Sequence, residues 1–440
     1  MANNSPNIAI VGGGISGLVL AIALLRRGIK VQVYEQAHAF GEIGAGVAFG
    51  PNSVRAMQTC SPDIHAAFHK VATRNQWPDK RNVWFDFMDG YDKDASVGKE
   101  KLLFTLSTED GANAVHRAHF LDELVKLVPD GVAHFKKHLD TIQLPTGDGK
   151  VKLLFHDGTE AEADAVIGCD GIKSRTRAWM LGGDDKPGAA PVYTYKYAYR
   201  GLIPMQRAVD ELGEDNAKNA KMHLGLDGHI LTFPVNHGET MNVVAFHATE
   251  NDWPDARHLT RSTEKKHVYE DFKDFGPTVQ KIIDLLEPNL DCWAIFDTGD
   301  HPMEAYNKSR VCCLGDAAHA TSPHHGAGAG ICIEDAAVMA ELLAEPGVAK
   351  AETKGLEAAF RVFSECRRER TQWLVQSSRR TGDLYEWRAE GVGRDVGKIY
   401  AECRERDERI WGSRIGELVA EAKGSLGEIL KGWCWSAPCS

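Results

Sequence analysis

This sequence of 440 residues lacks the features that mark secreted and membrane-spanning proteins. Its ten cysteines form no C-x-x-C pair, and the adjacent Cys312 and Cys313 lie inside an apolar run. This usage predicts buried thiols in a reducing compartment rather than a disulfide framework. No stretch approaches the ~18 consecutive apolar residues of a membrane span. Residues 1–6 are polar and lead into an apolar strand pattern without the basic and apolar regions of a signal peptide.

An excess of positive charge is also missing. The chain carries 62 acidic and 51 basic residues, for a formal net charge of -11. An acidic surface does not attract nucleic acid or an anionic membrane. We therefore expect a cytoplasmic protein that binds small molecules, with neither nucleic acid nor membrane as a partner.

The sequence does contain enough apolar residues for extensive cores. Hydrophobic residues make up 43% of the chain, and its length suits roughly two to three domains of about 150 residues. The N-terminal pattern is a strand at residues 7–11, a glycine turn, a helix at residues 15–27 and a second strand at residues 29–34. This unit is typical of a doubly wound α/β sheet.

The glycine turn has the sequence G-G-G-I-S-G at residues 12–17. Gly12 permits a tight turn, Gly14 lets the backbone approach a pyrophosphate, and Gly17 lets the helix pack closely on the strand. The helix N-terminus then faces the phosphates, and Glu35, about 20 residues further on, is placed to accept hydrogen bonds from ribose hydroxyls. The pattern predicts a dinucleotide site.

Two later motifs complete this interpretation. Asp170-Gly171 follows the buried strand at residues 165–167, and the sequence G-D-A-A-H occupies residues 315–319. Ligands bind at the carboxyl ends of strands in open α/β sheets. Motifs spread over more than 300 residues indicate that one large dinucleotide such as FAD is enclosed.

Other segments leave alternatives open. The small-residue loop at residues 40–48 suits close approach to a ligand or a flexible surface loop, and Arg117 heads a helix either as a solvated cap or in reach of the cofactor. Residues 151–155 and 164–168 are predicted to be strands that flank the turn Asp157-Gly158, and a helix is predicted to begin at Glu334. Alternating strands at residues 191–297 predict an antiparallel sheet. The residues after about 355 are charged and helical in pattern.

These patterns predict an α/β fold in which a Rossmann-like FAD-binding domain is interleaved with an antiparallel-sheet substrate domain and followed by C-terminal helices. The FAD-binding domain takes residues 1–75, 111–185 and 300–354. The substrate-binding domain takes residues 76–110 and 186–299, and the C-terminal helical region takes residues 355–440.

The chain resembles the class A flavin-dependent aromatic hydroxylases of the para-hydroxybenzoate hydroxylase fold from residue 8 to about residue 387. The likeness is greatest to the salicylate hydroxylases, through F-G-E-I-G-A-G-V-A-F-G-P-N at residues 40–52, L-G-L-D-G-H-I-L-T-F-P-V at residues 224–235 and P-H-H-G-A-G-A-G at residues 323–330. Fungal hydroxylases that oxidatively dearomatise phenolic polyketides resemble the same stretches.

The resemblance implies FAD as cofactor, with Asp316 holding the ribityl chain, and NADH or NADPH as co-substrate. Many relatives carry Asn where this chain has Gly330, so flavin contacts there would come from backbone amides. The implied FAD contacts are Gly12, Gly14, Gly17, Glu35, Ala48, Arg117, Asp170, Asp316, Gly328, Ala329 and Gly330.

The implied reaction oxygenates an electron-rich ring through a flavin C4a-hydroperoxide, and a fixed cation favours an ionised phenol. Arg200, at the end of the strand before Gly201, is our candidate for that cation. His229 is the first candidate for the proton acceptor and His325 the second, and Phe233 is expected to form an apolar wall.

His324 and His325 are expected to line the substrate pocket. The glycines around His319, His324 and His325 suit a flavin loop better than a metal centre, so no metal site is expected.

The leading hypothesis is hydroxylation of a small phenolic acid, with salicylate converted to catechol and carbon dioxide. The alternative is hydroxylation or oxidative dearomatisation of a phenolic polyketide in secondary metabolism. A more remote alternative is a flavin-binding dehydrogenase or a non-catalytic module. The expected partners are a small aromatic substrate, dioxygen and NAD(P)H, and the expected assembly is a monomer or homodimer.

Overall fold

The structure is a computed structural model that describes residues 5–41, 46–147, 149–350 and 352–434. Its strands are β1 (Asn7–Val11), β2 (Lys30–Tyr34), β3 (Gly46–Phe49), β4 (Val83–Asp89), β5 (Leu102–Ser107), β6 (Asn113–His116), β7 (Ala133–His134), β8 (Leu139–Gln143), β9 (Val151–Phe155), β10 (Glu160–Ala163), β11 (Ala165–Gly168), β12 (Val192–Pro204), β13 (Lys221–Gly225), β14 (Gly228–Val235), β15 (Thr240–Ala248), β16 (Thr260–Glu264), β17 (Asn289–Asp297), β18 (Asn307–Lys308) and β19 (Val311–Cys313).

The α-helices of the same residues are α1 (Ile15–Arg26), α2 (Pro51–Cys60), α3 (Pro62–Val71), α4 (Arg117–Val125), α5 (Arg175–Leu181), α6 (Met205–Leu212), α7 (Glu214–Lys218), α8 (Lys265–Asp271), α9 (Pro277–Asp284), α10 (Asp316–His319), α11 (Gly328–Leu343), α12 (Pro346–Lys350), α13 (Glu352–Tyr385), α14 (Val396–Trp411) and α15 (Ile415–Cys434).

A six-stranded sheet carries the nucleotide-binding pattern, in the order β18-β19-β11-β1-β2-β7. Its strands are parallel except for β18, which pairs antiparallel with β19. β1 and the helix α1 are buried along almost their whole length, so the near-continuous apolar run of each is that of an element covered on all sides. This order brings the carboxyl ends of β1, β11 and β19 side by side.

An eight-stranded sheet has the order β16-β17-β12-β15-β14-β13-β4-β5 and is antiparallel except between β13 and β4. Its strands come from chain segments that lie between those of the six-stranded sheet. One face packs on α8 and α9 through an apolar cluster that includes Tyr199, Ile230 and Val243. The interleaved α/β fold predicted from the sequence is confirmed, and the domain boundaries stay a prediction.

Three elements differ from the predicted ones. The strand after the Asp157-Gly158 turn is β10, which forms a hairpin with β9, and β11 follows as a separate strand. The helix predicted to begin at Glu334 begins at Gly328 instead. Arg200 does not end its strand, because β12 continues to Pro204 and pairs with β15 along that length.

The C-terminal helices pack against the nucleotide-binding part. α13 is 34 residues long and contacts α11 and α15. None of the helices in the described ranges is long and apolar enough to cross a membrane. The cysteines whose side chains are described carry free thiols, and all of these except the half-buried Cys366 are buried.

Candidate active site

A cavity of about 720 Å³ is lined by residues from both large sheets. The six-stranded sheet contributes the turn after β1, Glu35 after β2, Asp170 after β11 and Asp316 after β19. The eight-stranded sheet contributes one face of five neighbouring strands. The topology therefore brings all three dispersed motifs to one site.

The turn after β1 needs glycine for two reasons. Gly12 has a φ of 104°, and a Cβ atom there would lie 2.4 Å from the carbonyl oxygen of Cys169. Its backbone N–H donates to the carbonyl of Tyr34 at 2.8 Å. A Cβ on Gly17 would lie 2.1 Å from the carbonyl oxygen of Gly12, so Gly17 serves the packing of α1 on the turn. Gly12 and Gly14 line the cavity.

Glu35 braces this turn. Its Oε2 accepts from the backbone N–H of Gly13 at 2.6 Å, and its Oε1 accepts from Ala37 at 2.7 Å. A carboxylate has further lone pairs on both oxygens, and Glu35 lines the cavity. It can therefore hold the turn and still accept hydrogen bonds from a ribose.

Asp170 caps α5 as well as lining the cavity. Its carboxylate accepts from the Ser174 hydroxyl at 2.5 Å and from the Thr176 backbone N–H at 2.9 Å. On the same helix, the buried Arg177 donates to the carbonyls of Gly188 at 2.9 Å and Ala317 at 3.0 Å. Arg177 thus ties the Asp170 motif to the Asp316 motif, a function that sequence reasoning missed.

Residues 328–330, which the resemblance implies as FAD contacts, form the first turn of α11. Gly328 and Ala329 line the cavity, and their amides belong to the unpaired N-terminal end of a 16-residue helix. Gly330 lies against α2, where a Cβ would be 1.9 Å from Oγ of Ser53. This close contact explains a glycine in a helix, despite its low helix propensity.

The described residues fit FAD. The N-terminus of α1 suits a pyrophosphate, Glu35 suits a ribose, and Asp316 and Arg117 both line the cavity beyond them. The positive end of α11 suits the negative charge of a reduced flavin ring. Ala48 lies on β3, which pairs with β6 and lines the same cavity. Glu42, Ile43, Gly44 and Ala45 of the predicted loop lie outside the described residues.

A buried ionic cluster supports the flavin side of the site. Arg367 of α13 donates to Asp335 at 2.7 Å and to Glu334 at 3.0 Å, and Asp335 lies 2.6 Å from the His319 ring. Burial would raise the pKa of both carboxyls. Arg367 and Arg370 instead lower the pKa of Glu334 below its usual value, and His319 and Arg367 lower that of Asp335. Asp335 also accepts from the Gly315 backbone, so the cluster fixes the start of α10.

Replacing Arg367 by Met is expected to destabilise the protein by about 3–5 kcal/mol at pH 7, because Glu334 and Asp335 lose the buried cation that they share. The two folded-state pKa values are depressed, so this stability is present above the unfolded pKa values near 4 and lost as the pH falls through the folded values. The difference in unfolding free energy between wild type and variant, measured by urea unfolding, should therefore hold from pH 7 to about pH 5 and narrow as the pH falls below about 4.

The matched control is Arg361→Met, which breaks an exposed ion pair with Glu365 on the same helix. It should leave the unfolding midpoint almost unchanged. An Arg367→Met protein as stable as this control would contradict the role given to the cluster.

The other side of the cavity is one face of the eight-stranded sheet. Side chains alternate along β14, so Leu231 and Phe233 face the cavity while Ile230 packs into the core behind. Met222, Val244 and Phe246 of the adjoining strands and Trp84 and Phe85 of β4 extend this apolar lining.

Arg200 supplies a cation at one edge of the apolar lining. Its guanidinium lies over the Trp293 ring, 4.5 Å from the centroid, and its Nε is buried without a hydrogen-bond partner among the described residues. Burial, together with the nearby Arg117, lowers its pKa to about 10, so it stays charged at neutral pH. Gly201 does not end the strand but packs against Leu286.

The candidate histidines occupy different positions. His324 lines the cavity, and neither ring nitrogen has a hydrogen-bond partner within the described part of the chain. His325 also lines it, but its nitrogens lie 3.1 Å from Asp407 and 2.9 Å from Ser377. His229 does not line the cavity, because its ring is stacked behind Phe246 with centroids 4.7 Å apart.

The histidines considered for a metal centre from the sequence do not converge. His319 pairs with Asp335 and His325 with Asp407. Instead, His229, His324 and Glu386 place one ligand-type atom each within 4.8 Å of one another. Glu386 was not singled out from the sequence, because it lies near the end of a charged helical pattern that gives no sign of its burial.

Comparisons with known proteins agree with this geometry. A family model described as "FAD binding domain" matches residues 130–378, and one described as "NAD(P)-binding Rossmann-like domain" matches residues 10–55. FAD-dependent monooxygenase orf3 of Aspergillus niger is 48% identical, over 96% of this chain and 97% of its own length. Salicylate hydroxylase asL1 of Sarocladium schorii is 40% identical, over 94% and 90%.

A solved structure described as a salicylate hydroxylase substrate complex is also similar to this chain. It is 32% identical, with a TM-score of 0.83, over 96% of this chain and 98% of that one. The matched region therefore includes both large sheets and the residues of both that line the cavity. The chain therefore belongs to the class A FAD-dependent aromatic monooxygenases.

Proposed function

We propose that the protein hydroxylates or oxidatively dearomatises a phenolic polyketide, with NADH or NADPH as reductant and dioxygen as oxidant. When bound, FAD accepts a hydride from the nicotinamide and, with dioxygen, supplies an electrophilic oxygen atom. The chain's own residues have to bind the phenol, favour its anion and exclude water.

The observation that carries the proposal is the width of the apolar lining. Cavity-facing side chains lie on β12, β15, β14, β13 and β4, which are adjacent in that order. Five strands at a spacing of ~4.8 Å extend over about 19 Å. This lining is broader than one six-membered ring requires, and apart from Arg200 it is apolar, which suits a ring with a hydrocarbon substituent.

Arg200 gives the lining its polarity. A buried cation favours the ionised form of a phenol, and the anion is the more electron-rich ring. The guanidinium also offers a planar fork to an adjacent carbonyl or carboxylate oxygen. Arg200 therefore favours a phenol with an adjacent oxygen substituent. The apolar residues favour a hydrocarbon group on the rest of the ring.

Salicylate is the second candidate. It is supported by the salicylate hydroxylase relatives, at 40% and 32% identity, and by Arg200, which suits a carboxylate as well as a phenolate. The relative at 48% identity carries the general name of FAD-dependent monooxygenase, which favours no substrate. The flavin-dehydrogenase or non-catalytic alternative requires no phenol at all.

The test is a series of 2,4-dihydroxyphenyl ketones with side chains of increasing length, compared with salicylate. NAD(P)H consumption and product mass are measured for each. We expect kcat/KM to rise with chain length, because burial of each additional CH₂ contributes about 0.8 kcal/mol. A preference for salicylate with release of catechol would favour the second candidate. NAD(P)H consumption unaffected by every phenol would favour the third.

A variant sharpens this comparison. Phe85 lies on β4, at the opposite end of the lining from Arg200 on β12. Phe85→Trp should lower kcat/KM for the long-chain ketones and leave that for the short ones nearly unchanged. An equal effect on all probes would show that the substituent does not extend toward β4.

A further inference from the structure

A row of polar side chains, most of them buried, leads away from the cavity and has no role in the proposed function as stated above. We call His324, His229, Glu386, Lys196 and Asp383 the His229 cluster. Glu386 is 0% exposed, whereas the side chain of Asp383 is 40% exposed. The cluster thus begins at the cavity with His324 and ends at the protein surface with Asp383.

The members of the His229 cluster lie close together, and the ring nitrogens of His324 and His229 and both carboxylate oxygens of Glu386 are buried without a hydrogen-bond partner among the described residues. His229 Nδ1 lies 3.4 Å from Glu386 Oε1, and Lys196 Nζ contacts Glu386 Oε2 at 2.5 Å and Asp383 Oδ1 at 2.8 Å. The rings of His324 and His229 have centroids 5.4 Å apart. The ligand-type atoms of His324, His229 and Glu386 lie within 4.8 Å of one another and lack hydrogen-bond partners among the described residues, so a bridging water would satisfy them and complete the path.

Three chain segments place charged or titratable groups next to the rings of His229 and His324. β12 provides Lys196, and α13 provides Asp383. Glu386 directly follows α13, and His325 lies next to His324. Burial lowers the pKa of both His229 and His324, so both are neutral near pH 7 and able to accept a proton. Burial would raise the pKa of Glu386, but Lys196 and His229 lower it to about 2, so it is an anion.

We propose that the His229 cluster carries the substrate's phenolic proton from the cavity to solvent, an inference that rests on the proposed function. The phenol O–H bond breaks, an N–H bond forms on His324, and His324 passes a proton to His229. His229 passes one to Glu386, and Lys196 takes that proton while giving one of its own to the exposed Asp383. No electrons are transferred, and the phenolate remains beside Arg200.

A metal ion is the rival explanation, because two histidines and a carboxylate are common transition-metal ligands. The position of Lys196 argues against it. Its ammonium group already contacts Glu386 and supplies the positive charge that a metal ion would provide. A divalent ion bound to Glu386 would stand beside this cation in a buried site, where like charges repel strongly.

The chain offers a matched control for the path. His223 and Glu100 form a second buried pair, 3.5 Å apart, compared with 3.4 Å for His229 and Glu386. His223 is opposite Ile230 in the sheet register, so it faces the side of the sheet away from the cavity. Variants of this pair change a buried histidine–glutamate contact without touching the path.

The experiment mixes FAD-loaded enzyme with 2,4-dihydroxyacetophenone in weak buffer at pH 7. Stopped-flow absorbance follows the bound phenolate, and an indicator dye follows the released proton. Glu386→Gln and His229→Gln should slow both signals by about tenfold or more, since a positioned proton acceptor typically contributes 10²–10⁴-fold. Glu100→Gln and His223→Gln should stay within about twofold of wild type.

Asp383→Asn is a third path variant, and its partly exposed position makes it compatible with folding. It should also slow proton release. The deficit of every path variant should disappear above the solution pKa of the phenol, because the phenol then arrives without its proton. A purely structural defect would persist at that pH.

Two results would overturn the proposal. One is proton release as fast in Glu386→Gln, His229→Gln and Asp383→Asn as in the control variants. The other is stoichiometric zinc or iron in the purified wild type that is lost in Glu386→Gln. A wild type that ionises and oxidises no phenol would overturn the proposed function and this inference together, whereas an active wild type with unaffected path variants would overturn the inference alone.

Discussion

Arg200→Met is expected to lower kcat/KM for phenol oxidation by about 100- to 4,000-fold. Removing one partner of a buried ion pair costs about 3–5 kcal/mol, and each 1.4 kcal/mol is a factor of ten. Arg200 lines the cavity and has a buried Nε without a partner among the described residues, so its charge is available to the substrate. FAD content should stay at the wild-type level, which separates loss of phenol binding from loss of cofactor.

The control for Arg200 is another arginine of the same sheet, Arg261 on β16, which also stacks on a tryptophan. Arg261 lies over the Trp253 ring at 4.8 Å, compared with 4.5 Å for Arg200 over Trp293, but it does not line the cavity. Arg261→Met should retain nearly full activity. The deficit of Arg200→Met should also shrink for phenols acidic enough to be ionised in solution. An equal deficit in both variants would refute a charge-specific role.

Gly12→Ala is expected to weaken FAD binding by about 30-fold or more. The added Cβ would lie 2.4 Å from the carbonyl oxygen of Cys169, and the residue would keep a φ of 104°. Strained backbone and overpacking each cost about 1–3 kcal/mol, and relief by moving the turn displaces the amides that face the pyrophosphate. Fluorescence titration of the apo-protein with FAD measures the change in Kd.

Gly158→Ala provides the control for backbone strain alone. Gly158 has a φ of 80° in the turn between β9 and β10, with no other atom within 4 Å of an added Cβ. This variant should lose some stability but bind FAD as wild type does. Equal Kd values for FAD in Gly12→Ala and wild type would contradict the close approach of β1 to β11.

The glycine turn could be predicted because its determinants are local. Gly12, Gly14 and Glu35 lie within one strand-turn-helix-strand unit, and the period of the apolar residues identifies each element. Asp170 and Asp316 could be placed for a related reason, since each follows a buried strand. The carboxyl ends of parallel strands meet at one edge of a sheet.

The second layer of the site depends on tertiary contacts and was not predicted. Glu386 and Lys196 are 190 residues apart, and the charged pattern that leads to Glu386, directly after α13, gives no sign that this side chain is buried. His229 was correctly placed on a strand, but its distance from the cavity depends on Phe246 of the adjacent strand. The termination predicted at Gly201 was wrong, because that glycine makes room for Leu286 inside a continuous strand.

The most direct test of the proposed function is a competition between two substrates in one reaction vessel. FAD-loaded enzyme and NAD(P)H are supplied with equal concentrations of salicylate and a long-chain 2,4-dihydroxyphenyl ketone under ¹⁸O₂, and the products are separated by mass. We expect the ketone product to predominate and to carry a single ¹⁸O atom. Predominant formation of catechol from salicylate, or a ketone product without ¹⁸O, would contradict it.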